Sequence, residues 1–344
     1  MVKVYLIDNT LSGHHKDYLE ALMSIENTVF NHTLKPFSKN KLSIKYYLDR
    51  LNFIKENMRT IDSGSIVHFL YLDNLYQVPW INLFKKNQLK EVYGTIHHIP
   101  QSKLKRFLLR YNSKKITNII THSEFSKKEL EKMGIQNVVV IDYPSFYDYS
   151  SLPNKLTIIN ELNIPLDKKV ITILGGTRYD KGLDIFLDSL NFLKDEVKSK
   201  LFIDIAGKEE DIKSELIVKK LEENQISYKL TLDYLPEEEL LKHVVVSELF
   251  VLPYRKIFNG NSGPMTEAIV NSIPVLGPNH LNLGFLINKH KLGYLFESEV
   301  PSKLAESIEM FLRDNWKPSM KSSEYQKRLS KLNFIDEYKK IYQV

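Results

Sequence analysis

The chain contains no cysteine, which removes disulfides, thiolate nucleophiles and cysteine-ligated zinc and fits a reducing compartment. Long apolar runs are missing as well, since none approaches the ~20 residues that a membrane-crossing helix needs. The opening stretch M-V-K-V-Y-L-I-D reads as a first buried strand followed by a polar loop, without the cleavage region of a signal peptide, so a cytoplasmic location is expected. The turn after that strand lacks the G-x-G-x-x-G spacing of a dinucleotide site. There is no repeat and no low-complexity tract, and the basic runs carry no helix-turn-helix, zinc-finger or aromatic RNA-binding signature, which argues against nucleic acid as a partner. His97 and His98 are neighbours at the end of an expected strand, where successive side chains point to opposite faces, so joint chelation of a metal is not expected.

What is present suffices for two cores. At 344 residues and 43% hydrophobic composition, two domains are expected. The formal charge of +6 is uneven: residues 1–150 carry 21 Lys and Arg against 14 Asp and Glu, while the remainder carries 27 against 28. That asymmetry asks for an acidic partner of the first half, whether anionic lipid, a phosphorylated acceptor or nucleic acid. Lysine-driven solubility is the plain alternative.

Strand-like runs alternate with helical patterns along the whole chain, which predicts parallel sheets with helices on both faces. Strands are expected at residues 2–7, 66–72, 92–96, 117–121 and 138–141, then, past a linker near 145–155, at 169–174, 201–206, 229–232, 249–252 and 273–276. Between Gln101 and Lys115, Leu104, Phe107, Leu108 and Tyr111 form an apolar stripe expected to pack on the sheet, leaving Lys103, Arg106, Arg110 and Lys114 available to anionic headgroups. A helical pattern also runs from Tyr325 to Tyr342.

Three turns draw attention as ligand sites. Gly13 lies in the turn after the first strand, at the edge of a sheet where crevices form. In G-G-T-R-Y-D-K-G, Arg178 and Lys181 stand three apart at a glycine-rich strand-to-helix turn that includes Gly176, an arrangement suited to a diphosphate, or else a solvated basic pair. From Leu252 to Asn279, a strand feeds a loop of small polar residues, Asn259 to Gly263, and Pro264 opens a helix carrying Glu267. Ser262 or Gly263 would cap that helix and present free backbone N–H groups to an anion or hydroxyl. An ordinary capped strand-to-helix connection is the alternative.

Two of these segments resemble known motifs. G-G-T-R-Y-D-K-G-L-D-I-F-L is similar to the G-x-x-R-x-x-K-G-L phosphate turn, and N-S-G-P-M-T-E-A-I-V-N-S-I-P-V-L-G to the donor loop, of the GT-B-fold retaining glycosyltransferases of family four. T-I-H-H-I-P and T-H-S-E-F-S-K-K-E-L resemble closing segments of that family's N-terminal domain. The resemblance implies two Rossmann-like, doubly wound α/β domains facing a central cleft, residues 1–150 on the acceptor side and 155–321 on the donor side, with a C-terminal helix of about 322–344 crossing back onto the first. It implies that Arg178 and Lys181 hold the donor diphosphate and stabilise its growing charge, that Glu267 accepts the ribose hydroxyls, and that Gly260, Asn261, Ser262 and Gly263 meet the sugar. Gly13 and Gly176 would approach the phosphates, and His97 the transferred sugar or the acceptor hydroxyl. The leaving phosphate would deprotonate the acceptor, with neither metal nor cofactor required.

One position departs from the family pattern. Eight residues before the E-A glutamate, where the family commonly has a second glutamate, stands Asn259, which can hydrogen-bond to a sugar but carries no charge. The expectation is therefore a soluble, metal-independent hexosyltransferase, UDP-sugar favoured on family frequency, acting on a polysaccharide or lipid-linked oligosaccharide, peripheral to the inner membrane face. A non-catalytic nucleotide-sugar-binding subunit of another transferase is the alternative that Asn259 supports. Donor sugar, linkage and oligomeric state are not written in the sequence.

Overall fold

The computed structural model describes residues 2–11, 14–31, 37–38, 40, 43–81 and 89–343, with backbone alone at residue 14. Gly13 lies outside the described residues. The chain divides into two compact units, Met1–Phe146 with Ser330–Val344, and Tyr147–Leu329.

The first unit runs β1 (Val4–Ile7), α1 (His14–Met23), β2 (Thr28–Phe30), α2 (Ile44–Arg59), β3 (Ser65–Phe69), β4 (Leu89–Thr95), α3 (Lys103–Ser113), β5 (Asn118–Thr121), α4 (Glu124–Lys132) and β6 (Val138–Val140). The second begins with α5 (Lys155–Glu161), β7 (Lys169–Leu174), α6 (Leu183–Ser189), α7 (Asp195–Lys198), β8 (Leu201–Ala206), α8 (Ser214–Glu223) and β9 (Ser227–Thr231). It continues through α9 (Glu237–Val246), β10 (Leu249–Val251), α10 (Gly263–Val270), β11 (Val275–Pro278), α11 (Leu281–His290), β12 (Gly293–Phe296), α12 (Pro301–Arg313) and α13 (Met320–Arg328). The chain then returns to the first unit as α14 (Lys331–Tyr342). Among the described residues, each unit holds one six-stranded sheet, in the orders β2-β1-β3-β4-β5-β6 and β12-β11-β10-β7-β8-β9, and every strand pair is parallel.

Parallel sheets need both faces covered, and alternation along the strands divides the apolar residues accordingly. In the first sheet Ile7, Val67 and Ile119 face Phe53, Ile54, Leu109 and Leu130 of α2, α3 and α4. Val4, Leu6, Ile66 and Ile120 face Tyr18 and Leu22 of α1 and Phe334, Tyr338 and Tyr342 of α14. The stretch from Tyr325 onward is two helices, because the first ends at Arg328 and Ser330 caps a new one by accepting from the Asn333 N–H. Residues 322–329 consequently pack in the second unit, where Tyr325 stacks on His290 with centroids 4.0 Å apart.

Of the expected stripe on α3, Leu108 packs against the core and the other three residues face outward. Leu104 and Phe107 are 66% and 64% exposed and Tyr111 38%, while Leu109 and Asn112 point inward. The inner position is polar because the connection before β4 needs partners. Asn112 Nδ2 donates to the carbonyls of Tyr76 and Val78 at 3.0 and 2.8 Å, and its Oδ1 accepts from the Trp80 N–H at 3.0 Å. An asparagine that satisfies a buried loop has taken the place that an apolar stripe was expected to fill. Among the described residues, no helix is long and apolar enough to cross a membrane.

Three histidines lie in the first unit's core region. Burial lowers His68 and His122 to about 3, with repulsion from His122 adding to the effect on His68 and repulsion from His97 to that on His122, and lowers His97 to about 4 against the pull of Asp73. All three are neutral when folded, so the unfolded chain binds more protons below its ordinary histidine value near 6.5. Stability is therefore complete above about pH 6.5 and falls as pH drops toward 4 and below, by up to ~1.4 kcal/mol per pH unit per histidine. Thermal melts from neutral to acid pH should show this, and His68→Gln should flatten the slope. A melting temperature flat across that range would contradict the assignment.

Candidate functional site

In the second unit, β7 ends at Leu174 and the chain turns through Gly175 with φ of 112°, a left-handed value open to glycine. A Cβ there would lie 2.6 Å from Lys181 Nζ and 3.9 Å from the Pro264 ring. The ammonium of the G-G-T-R-Y-D-K-G turn and the first turn of α10 thus meet over one bare backbone position. Lys181 Nζ also lies 5.3 Å from the Tyr254 ring centroid, and Tyr254 shares a 3.1 Å hydrogen bond with Ser262. Ser262 is the cap: its Oγ accepts from the Met265 N–H at 3.3 Å.

The two loops are welded by backbone. Gly182 is left-handed at φ 64°, and a Cβ on it would stand 2.2 Å from the Pro253 carbonyl oxygen. Arg255 completes the seam. Its N–H donates to the Asp180 carbonyl at 3.0 Å, its Nε to the Tyr179 carbonyl at 2.9 Å, and its guanidinium lies over the Tyr179 ring and pairs with Asp184. Sequence reasoning missed Arg255, whose signal was its place just after the β10 strand run in L-P-Y-R.

Arg178 is engaged within its own turn. Nε and Nη2 donate to the two carboxylate oxygens of Asp180, both at 2.9 Å, and Asp180 with nearby Glu210 raises the guanidinium's pKa. Glu210 also occupies the space beside Gly176, where a Cβ would fall 2.2 Å from its Oε2. Two carboxylates therefore flank the expected phosphate cation, a feature the motif did not announce.

Glu267 is buried on α10 at 5% exposure and accepts a hydrogen bond from the Tyr149 hydroxyl at 2.8 Å. Burial, then the Glu267 charge, pushes the Tyr149 phenol far above its ordinary value, so it remains the donor. In the loop before α10, Asn282 Nδ2 donates to Asn261 Oδ1 at 2.9 Å and to the Gly260 carbonyl at 3.4 Å, bracing the segment from α11. Asn259 is half-buried at the head of this loop and Gly263 is the first residue of α10.

His97 belongs to the first unit, where it forms part of a ring column. Tyr71 stacks on it at 4.0 Å and His15 stacks on Tyr71 at 3.4 Å between centroids. His97 Nε2 donates to the Leu70 carbonyl at 3.0 Å, while His98 is exposed. Asp73 holds both residues by their backbone N–H groups, at 2.9 and 2.8 Å. Burial alone would raise the Asp73 carboxyl, yet its contacts with His98 and His97 leave it below the ordinary value, so it stays charged. At the column's outer end, His15 Nδ1 is 2.8 Å from the fully buried carboxylate of Asp8. An aspartate just after β1 with a histidine in the first turn of α1 could have been found from the sequence. The stacking could not.

Two all-parallel α/β units, each a six-stranded sheet with helices flanking it, give the chain the GT-B fold. It belongs to the family described as Glycosyl transferases group 1, whose profile matches residues 154–331. Among solved structures, it resembles a glycosyltransferase from Rickettsia africae ESF-5, with 14% identity, a TM-score of 0.71 and coverage of 99% of this chain and 97% of that one. A sucrose-phosphate synthase from Thermosynechococcus elongatus shares 13% identity at TM-score 0.73, covering 100% and 98%. HepE from Anabaena, solved with UDP, shares 12% at 0.73, covering 100% of both chains. No curated protein matches the sequence.

The seam yields a stability prediction. Gly182→Ala should cost more than the ~1–2 kcal/mol of left-handed backbone alone, because the methyl also meets a carbonyl oxygen. Chemical denaturation should show it, and an unchanged midpoint would mean the loops are not fused there.

Proposed function

We propose that the protein transfers a sugar from a nucleotide-sugar donor, UDP-sugar favoured, to a polysaccharide or lipid-linked oligosaccharide at the inner membrane face, with retention at the anomeric carbon. The observation that carries this is the meeting of Lys181 Nζ and the α10 N-terminus over Gly175. A cation and the positive end of a helix at one open backbone position suit a diphosphate. HepE's complex with UDP supports the choice of nucleotide, and the basic first half supports an anionic acceptor environment.

In this scheme Lys181 holds the diphosphate, and Arg178 exchanges its half-buried Asp180 partner for phosphate oxygens. The exchange replaces two parallel hydrogen bonds to a carboxylate with bonds of the same kind to phosphate oxygens. Glu267, oriented by Tyr149, receives the ribose hydroxyls, and the loop from Asn259 to Gly263 meets the sugar. The bond from the anomeric carbon to phosphate breaks while the bond to the acceptor oxygen forms on the same face. The acceptor's proton passes to the departing phosphate. His97, neutral at physiological pH, stands on the acceptor side as a hydrogen-bonding group. Lys181 and Arg178 supply the positive charge, so activity should survive chelation of divalent metal.

A second reading, a non-catalytic nucleotide-sugar-binding subunit, is favoured by Asn259 and by the carboxylates beside Arg178. Both readings predict binding, and only the first predicts turnover. A panel of nucleotide sugars, read by calorimetry and by slow donor hydrolysis, separates them. Lys181→Ala and Arg178→Ala should weaken nucleoside diphosphate more than nucleoside and lower turnover by ~10²–10³, whereas Glu267→Ala should weaken both ligands. Parental binding in all three variants would refute the site. Asp180→Asn should tighten nucleoside diphosphate up to about fivefold by releasing Arg178. Unchanged affinity there would mean that Asp180 does not compete with the diphosphate for Arg178.

A further inference from the structure

We infer that the outward face of α3 docks the first unit onto an anionic lipid bilayer. Leu104, Phe107 and Tyr111 follow one another at helical spacing along that face, and Lys103, Arg110 and Lys114 are exposed along one flank of them. From Gln101 to Lys115 there are six basic residues and no acidic one. The face is held rigidly from behind by Leu109 and by the three hydrogen bonds of Asn112, so the apolar side chains are presented by a fixed element. Two large apolar side chains nearly two-thirds exposed are unfavourable in water unless something covers them.

Charge identifies the cover. A protein partner would be met by a defined arrangement of acids, whereas a row of cations beside a shallow apolar ridge, with no acid from Gln101 to Lys115, matches a surface of uniform negative charge with an apolar layer just beneath it. A second patch agrees. The first turns of α2 expose Ile44, Tyr47 and Leu48 at 77%, 43% and 49%, with exposed Lys45 among them. Phe53 and Ile54 of α2 share one core layer with Leu109 of α3, so both helices cover the same face of the sheet. An extended bilayer can receive both patches. Each basic residue near such a surface adds about fivefold to partitioning.

This names the partner of the first unit and depends on the lipid-linked-acceptor reading for its purpose alone. The test needs neither nucleotide nor acceptor, so either idea can fail without the other. The full chain is floated with vesicles of phosphatidylcholine, with and without phosphatidylglycerol, at low and high salt. Binding should require phosphatidylglycerol and weaken with salt. Leu104→Ser with Phe107→Ser should lower partitioning at least tenfold without a change in the circular-dichroism melt, both side chains being exposed. Lys103→Glu with Lys114→Glu should abolish it, while Lys219→Glu in the second unit should not. Equal binding to neutral vesicles, or parental binding by the α3 variants, overturns the inference. So does a change of oligomeric state in those variants with vesicle binding intact, which would assign the ridge to a second copy of the chain.

Discussion

The second unit's geometry depends on a close approach between two loops: the Pro253 carbonyl lies where any side chain on residue 182 would have to go. That contact presses the turn after β7 against the loop after β10, and Arg255 fixes the register by hydrogen-bonding two successive carbonyls, those of Tyr179 and Asp180. Once the loops are joined, Lys181 has little choice of position. Its ammonium comes over Gly175, against the Tyr254 face, and Tyr254 in turn bonds the residue that caps α10. A cation and a helix terminus thus share one location because the backbone beneath them is shared.

The first unit solves a different problem. Its strand ends carry Asp8, Asp73, His97 and His122, polar groups that packing must satisfy individually. Asp73 does so through backbone N–H groups, His122 through the Ile141 carbonyl at 2.8 Å, and His68 through Thr95 and Tyr342 at 2.8 and 2.5 Å. Tyr342 reaches that position on α14, so the last helix closes the core and supplies a hydrogen-bond partner to the third strand. The same burial that orders these groups keeps the histidines neutral, which makes them hydrogen-bonding partners instead of cations.

Much of this architecture was legible beforehand, for identifiable reasons. Lys169–Leu174 and Leu201–Ala206 have the strand limits read from their apolar runs, because a strand buried on both faces is written as such a run. β2 and β12 escaped notice: Thr28–Phe30 is three residues at a sheet edge, and Gly293–Phe296 begins with a glycine. On α3, periodicity marked an apolar stripe, but of its four residues only Leu108 packs on the core. Hydrophobic spacing identifies a face without saying what lies opposite, and here the inner face went to Asn112 because a loop needed its amide.

Local rules were enough for the α/β alternation, the parallel sheets, the division into two units and the motifs that carry the family resemblance, since each rests on short-range periodicity, glycine placement and helix capping. Tertiary structure alone decided which charges meet. The bidentate hold of Asp180 on Arg178, the Glu210 carboxylate beside Gly176, the Tyr149 bond to Glu267 across 118 positions of chain and the column of His15, Tyr71 and His97 all join segments, or choose between side-chain partners, that no spacing rule relates. Spacing fixes neighbours along an element. Which elements approach, and which side chains fill the space between them, follows only from packing the whole chain.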